Sequence, residues 1–110
     1  MLRGILKATL YVKVLRNGFV VRHVESGKEV TLESNTPFTT TRLLVGEFTP
    51  AADTLREAFR QVLPRSAYLA APLVVMHQSL MAQGGLSAVE HRVLLEIADY
   101  AGARRAQPGR

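Results

Sequence analysis

Residues 8–24 read ATLYVKVLRNGFVVRHV, two runs of alternating apolar side chains that flank Asn17 and Gly18. Asn-Gly between apolar runs is a strong hairpin signal, because both residues tolerate the positive φ of a type I′ turn. Residues 25–28 supply a second set of turn formers, and residues 29–33 alternate again. The first part of the chain therefore predicts a three-stranded antiparallel meander.

Beyond residue 48 the apolar spacing changes from strand-like to helical. Thr49 and Pro50 predict the start of a helix, since threonine caps well and proline suits the first helical position, and Pro64 predicts its end. Residues 69–77 are a nearly continuous apolar run. Such a run is typical of a central parallel strand that is buried on both faces.

A capping box, Ser87-Ala88-Val89-Glu90, predicts a last helix that ends just before Gly102. The predicted order β-β-β-α-β-α gives an α/β domain over residues 1–103, a single sheet with helices packed on it and the first part of a ribonuclease-H-like fold. Residues 104–110 are expected to be a frayed basic tail. The central strand would then keep one unpaired edge, suited to pairing with another chain.

Composition excludes several classes of function. The chain has 110 residues, 47% of them hydrophobic, and it contains no cysteine, which excludes disulfides, cysteine nucleophiles and cysteine-bound zinc. The 14 basic residues outnumber the 9 acidic ones, giving a net charge of +5, and they are scattered except near the C-terminus. With no apolar run long enough for a membrane span and no export signal, we expect a cytoplasmic protein.

Several segments together suggest a family. Residues 72–77 (PLVVMH), 87–92 (SAVEHR) and 101–104 (AGAR) resemble, in this order, a buried strand, a capped helix and a helix end of the actin-like ATPases, especially the bacterial MreB-type cell-shape proteins. Residues 45–48 and 59–62 are similar to an upstream segment of that family. The resemblance implies an actin-like half-lobe built on a ribonuclease-H-like sheet.

One segment departs from the family pattern. In actin-like ATPases the first strand runs into Asp-Leu-Gly-Thr, which holds the metal and phosphates of ATP, whereas the matching residues here are Lys13, Val14, Leu15 and Arg16. A lysine cannot organise Mg²⁺ as a carboxylate does. The resemblance then implies a non-catalytic cell-shape or assembly-related interaction protein without catalytic residues, cofactor or metal. Its partner would be another copy or cell-shape machinery.

Two other functions compete with this interpretation. The chain could be a nucleotide-binding fragment of an actin-like ATPase, although the segment from Lys13 to Arg16 argues against it. It could instead be a small basic nucleic-acid-binding domain, which would need aromatic or arginine side chains on an exposed sheet face. Because scattered cations are typical of an ordinary protein surface, nucleic acid is not the expected partner. Tyr11 and Arg22 are the candidates for that role.

The N-terminal segment is a candidate contact with a membrane surface or partner. Leu2, Ile5 and Leu6 recur at helical spacing, and Arg3 and Lys7 could face anionic lipid. Such a contact would place the protein at the inner face of the membrane. The alternative is that this segment only leads into the first strand.

The remaining candidates are weaker. His77 closes the predicted central strand at the edge where open α/β sheets bind ligands, or it is only a polar residue at a strand end. Residues 83–85 (QGG) could cradle an anion ahead of the last helix, or they form a glycine-rich connection. His23, His77 and His91 do not have the spacing of metal ligands.

Overall fold

A three-stranded meander leads into two helix–strand units in the computed structural model, which describes residues 8–39, 47–65, 71–78 and 88–108. The elements are β1 (Thr9–Leu15), β2 (Gly18–His23), β3 (Glu29–Glu33), α1 (Phe48–Val62), β4 (Leu73–Gln78), α2 (Ala88–Ala101) and β5 (Arg105–Pro108). The five strands form one mixed sheet in the order β3-β2-β1-β4-β5. β2 is antiparallel to its neighbours β1 and β3, whereas β4 is parallel to both β1 and β5. The predicted α/β class and the predicted meander are confirmed.

Both helices pack against one face of the sheet and against each other. Alternate strand residues enter the core between the layers, and α1 buries one apolar stripe at helical spacing, made of Ala51, Leu55, Ala58, Phe59 and Val62. The fully buried larger side chains are Leu10, Val12, Val14, Phe19, Val21, Phe38, Leu55, Phe59, Val62, Val74 and Ile97. Within the described residues, the other face of the sheet therefore has no helical layer.

The β1–β2 turn differs in one detail from the predicted Asn-Gly geometry. Asn17 has φ 58°, as expected, but Gly18 already belongs to β2 and pairs with Leu15. Gly18 is needed for space, because a Cβ at this position would lie 2.6 Å from the carbonyl oxygen of Leu32 on β3. The close approach of two backbones selects glycine here.

Helix α1 begins earlier than Thr49 and Pro50 predict. Its first residue is Phe48 and its N-cap is Glu47, whose side chain makes no capping hydrogen bond. Pro50 is tolerated inside the first turn because the N–H groups there have no intrahelical acceptor. The helix ends at Val62, shortly before Pro64, as predicted.

Strand β4 is central, but the prediction that both of its faces are buried is wrong. Val74 and Met76 are buried, whereas Leu73, Val75 and His77 are only partly buried. The apolar run suggested burial on both faces, but the two described helices cover only one face of the sheet.

The predicted frayed tail is also wrong over residues 105–108, which form β5 and pair in parallel with β4. The cause is the end of α2. Gly102, at φ 120°, donates from its N–H to the Asp99 carbonyl, and the N–H of Ala103 donates to the Ala98 carbonyl. This pair of bonds is a Schellman motif, and it turns the chain back along the sheet.

The following residue completes the return. The N–H of Arg104 donates to the carbonyl of Pro72 at 2.8 Å, which sets β5 beside β4. The edge of β4 that was expected to be free is therefore paired. Within the described residues, β3 and β5 are the edge strands of the sheet.

Candidate functional site

The β1–β2 turn, where an actin-like ATPase would hold phosphates, is filled by the chain itself. The side-chain oxygen Oδ1 of Asn17 accepts hydrogen bonds from the backbone N–H groups of Phe38 (2.8 Å) and Thr39 (2.7 Å). The Asn17 N–H donates to Oγ1 of Thr39, and its carbonyl accepts from the N–H of Ser34. The polar groups of Asn17 are thus used by the loop that follows β3.

A buried aromatic pair holds this loop in place. Phe38 is fully buried and stacks on Phe19 of β2, with ring centroids 5.3 Å apart and an interplanar angle of 21°. Thr39 has a structural role, because its hydroxyl accepts a hydrogen bond from the Asn17 N–H. The turn and the loop form one packed unit.

An acidic cleft of about 470 Å³ lies beside this unit, between the end of β3 and α1. Glu33, Asp53 and Glu57 are among its lining residues. The hydroxyl of Thr54, also on the cleft wall, donates to the carbonyl of Pro50 at 2.7 Å. Carboxylates repel phosphate groups, so the cleft is unsuited to a nucleotide. Among the described residues no group of three or more acidic or histidine side chains is arranged to hold a metal ion.

The sheet face away from the helices gathers basic and aromatic side chains. We call it the open face and define it by Tyr11, Lys13, Val20, Arg22, Leu73, Val75, His77, Arg105 and Gln107, which alternate with core residues along four strands. The Tyr11 and His77 rings are stacked, with centroids 5.8 Å apart and an interplanar angle of 24°. Lys13 lies opposite His77 in the register, and Arg22 lies opposite Tyr11.

Sequence reasoning named Tyr11 and Arg22 for an exposed sheet face, and the structure places them on neighbouring strands of one face. Strand alternation also put Lys13 on the same face as Tyr11, but sequence reasoning did not name Lys13 for this role, and it missed Arg105 as a member of that face. Arg105 was missed because β5 was not predicted. His77 is not an isolated residue at a strand end, since its ring contacts Tyr11 and its Nδ1 is buried without a hydrogen-bond partner in the described part of the chain.

A second exposed group lies on the helix layer. Phe48 and Tyr100 meet edge to face, with ring centroids 5.9 Å apart, and the guanidinium carbon of Arg56 lies 4.6 Å from the centre of the Tyr100 ring. We call these three residues the helix-layer cluster. Phe48 is 39% exposed and Tyr100 48% exposed. The position of Tyr100 outside the apolar stripe of α2 is the sequence signal that could have identified it.

A third group joins the β2–β3 turn to the start of β1. His23, buried at the end of β2, contacts Oγ of Ser26 at 2.8 Å through Nδ1, and its Nε2 lies 3.4 Å from Oε1 of Glu25. Oε1 of Glu25 also accepts the N–H of Thr9 at 2.9 Å. Partial burial raises the pKa of Glu25, but the hydrogen bonds from Thr9 and from its own backbone, together with His23, lower it below its ordinary value.

Several predicted site residues lie outside the described part of the chain. These are the proposed membrane or partner contacts Leu2, Arg3, Ile5, Leu6 and Lys7, the glycine-rich residues 83–85 and the predicted helix cap Ser87. Neither of the two described helices is both long and apolar enough to cross a membrane.

Comparison with known proteins places the chain in a family. It is 37% identical over 95 residues to YjaA, an uncharacterized protein of Escherichia coli strain K12, and the match covers 82% of this chain and 73% of that protein. The chain belongs to the YjaA family. No model of a known protein family matches the sequence. The surfaces described above are the basis for a proposed function.

Proposed function

We propose that this member of the YjaA family is a non-catalytic interaction protein with an actin-like half-lobe, acting in assembly rather than in ATP turnover. The element order β-β-β-α-β-α-β supports this proposal. It includes the strand that normally follows the last helix of a ribonuclease-H-like sheet. In such a half-lobe the β1–β2 turn is the place where nucleotide phosphates would be held.

The observation that carries the proposal is the closure of this turn by Asn17. A phosphate cradle needs free backbone N–H groups and close backbone approach. Here the Asn17 N–H is bonded to Thr39, and the Asn17 side chain binds the loop that covers the turn. Lys13 is solvent exposed and occupies the position where the actin-like ATPases have a carboxylate. Mg-ATP does not fit these residues, and a nucleotide-binding fragment is the less favoured alternative.

The helix-layer cluster is the surface through which we propose that copies of the chain associate. Exposed aromatic side chains accompanied by an arginine are the residue types that contribute most to protein–protein binding. The aromatic contact between Phe48 and Tyr100 spans the two helices, so the cluster is held in a fixed shape before binding. Prior ordering reduces the entropy that association costs.

Sedimentation velocity over a concentration series tests this proposal. We expect the wild-type protein to self-associate and Tyr100→Ala to shift the equilibrium toward monomer. Tyr11→Ala, which removes an exposed tyrosine from the opposite side of the sheet, is the matched control and should associate like the wild type. A wild-type protein that stays monomeric at high concentration would contradict the proposal, as would equal behaviour of the two variants.

The N-terminal membrane contact remains a prediction of its own. Leu2, Ile5 and Leu6 would insert into the lipid surface, with Arg3 and Lys7 facing anionic headgroups. The wild-type protein should then sediment with phosphatidylglycerol vesicles more than the triple Leu2/Ile5/Leu6→Ser variant does. Equal sedimentation of the two proteins would exclude this contact.

A further inference from the structure

The open face carries aromatic and basic side chains that take no part in the proposed self-association through the helix layer. It lies on the other side of the sheet from the helix-layer cluster, and Tyr11 at its centre is 37% exposed. From the geometry of this face we infer that it binds single-stranded nucleic acid. Because the two surfaces are separate, the inference stands apart from the proposed self-association.

Tyr11 and His77 supply the stacking surface. Their rings differ by only 24° in orientation and sit on the neighbouring parallel strands β1 and β4. Bases of a single strand stack on such rings whatever their sequence, because every base has a π-face.

Cations surround the stacking surface on three strands. Lys13 on β1, Arg22 on β2 and Arg105 on β5 are all exposed. Described residues of β1, β4 and β5 place no carboxylate on the open face. Phosphate groups on either side of a stacked base would therefore meet positive charge, in keeping with the net charge of +5.

The acidic residues of the sheet set a boundary to this surface. Glu29 and Glu33 lie on β3, where Glu29 is opposite Arg22 and Glu33 is opposite Gly18. A single-stranded nucleic acid, which is anionic, would avoid β3 for this reason. The nucleic acid would meet the fewest carboxylates along a path over β1, β4 and β5. Arg22 lies at the border of this path.

Stacking distinguishes a single strand from other anionic partners. The Tyr11 ring contacts His77 on the sheet surface, so it cannot reach bases that are paired and stacked inside a duplex. An anionic membrane would use the cations but not the ring faces. Duplex DNA and lipid vesicles are therefore the two competitors that the experiment must separate from the single strand.

Fluorescence anisotropy with a labelled thymidine oligonucleotide of about 20 nucleotides tests the inference at about 50 mM and about 200 mM salt. Wild-type protein should bind, and Tyr11→Ala should weaken binding roughly 10-fold through the lost stacking. Lys13→Gln and Arg105→Gln should each reduce the salt slope by about 0.7, the value for one phosphate contact on a single strand.

Matched controls come from the helix side of the molecule. Arg60→Gln removes an exposed arginine of α1 and Arg92→Gln removes an exposed arginine of α2, so both should leave the dissociation constant within about twofold. Circular dichroism checks the fold of each variant. Should Tyr11→Ala fail to fold, shifts of the Tyr11 and His77 ring resonances in wild-type protein on adding the oligonucleotide provide the same test.

Each of the following results would overturn the inference. They are no binding by the wild-type protein at the lower salt concentration, equal loss of affinity in Tyr11→Ala and Arg60→Gln, tighter binding to a duplex of the same length, and ring resonances that do not move. Binding to phosphatidylglycerol vesicles that equals binding to the oligonucleotide would also count against it, because lipid would then account for the cations without any stacking.

Discussion

Asn17 has two roles, because it forms the β1–β2 turn and also binds the loop that closes this turn. The Asn-Gly signal placed a turn at this position, and the structure has it there with φ 58° at Asn17. The sequence did not indicate that the Asn17 side chain would bind residues 38 and 39, because these lie more than twenty positions away. Hydrogen bonds between residues this far apart leave no local pattern in the sequence.

Replacing Asn17 with glycine separates its two roles. Glycine accepts the positive φ but lacks Oδ1, so the N–H groups of Phe38 and Thr39 lose their acceptor. Loss of a partner by part-buried N–H groups costs about 1–3 kcal/mol in the free energy of unfolding. Urea denaturation measures this cost.

Asn17→Asp provides the control, because aspartate keeps an acceptor oxygen and also tolerates positive φ. It should be more stable than Asn17→Gly. If the two variants denature at the same urea concentration, the side-chain hydrogen bonds to the loop contribute nothing and the turn is held by its backbone alone.

Glu25 predicts a dependence of stability on acid. Its pKa lies below its ordinary value in the folded protein because of the hydrogen bonds from Thr9 and its own backbone and the neighbouring His23, so the folded state favours the carboxylate. The stabilisation is present above the unfolded pKa and is lost as the pH falls through the folded pKa. We therefore expect the unfolding free energy of the wild type to drop below about pH 4.5 more steeply than that of Glu25→Gln.

Chemical denaturation of both proteins across this range gives the comparison. Parallel profiles for wild type and Glu25→Gln would show that the bond from the Thr9 N–H to Glu25 does not favour the ionised form. The profiles should converge at the acid end, where the wild-type side chain is also neutral.

At the scale of elements, the sequence predicted what depends on local pattern. The meander, the buried stripe and end of α1, and the end of α2 at Gly102 all follow from spacing, proline and glycine. The start of α1 at Phe48 was missed because no side chain caps it. β5 was missed because its residues have no strand pattern, and only pairing with β4 makes them a strand.

The pairing of β2 with β3 makes Gly18 a test of the sheet. Gly18→Val puts a Cβ 2.6 Å from the carbonyl oxygen of Leu32, and a backbone atom cannot move away easily. We expect a loss of about 1–3 kcal/mol in unfolding free energy, the usual cost of overpacking. Thermal or urea unfolding would measure it.

Gly27 is the control position. It has φ 79° and open space around it, so Gly27→Asn, which tolerates this conformation, should change stability by less than about 0.5 kcal/mol. If Gly18→Val is as mild as Gly27→Asn, the two backbones are not as close as described and the register of β2 with β3 needs revision.

At the level of the whole molecule, the two proposed binding activities use the two sides of one sheet. Sequence spacing assigned residues to faces within each strand, which is why Tyr11 and Arg22 could be named. It could not show that Tyr11 would lie against His77, since that requires the parallel register of β1 with β4. Neither could it show the helix-layer cluster, which forms where the start of α1 meets the end of α2.

We propose that the closed β1–β2 turn excludes nucleotide and that the molecule acts by binding. Titration of the wild-type protein with Mg-ATP, followed by amide NMR and by phosphate release from the same sample, tests this proposal. We expect no saturable shifts around residues 13–18 and hydrolysis at background. Saturable shifts at micromolar Mg-ATP in those residues, with release of the loop from Asn17, would contradict it.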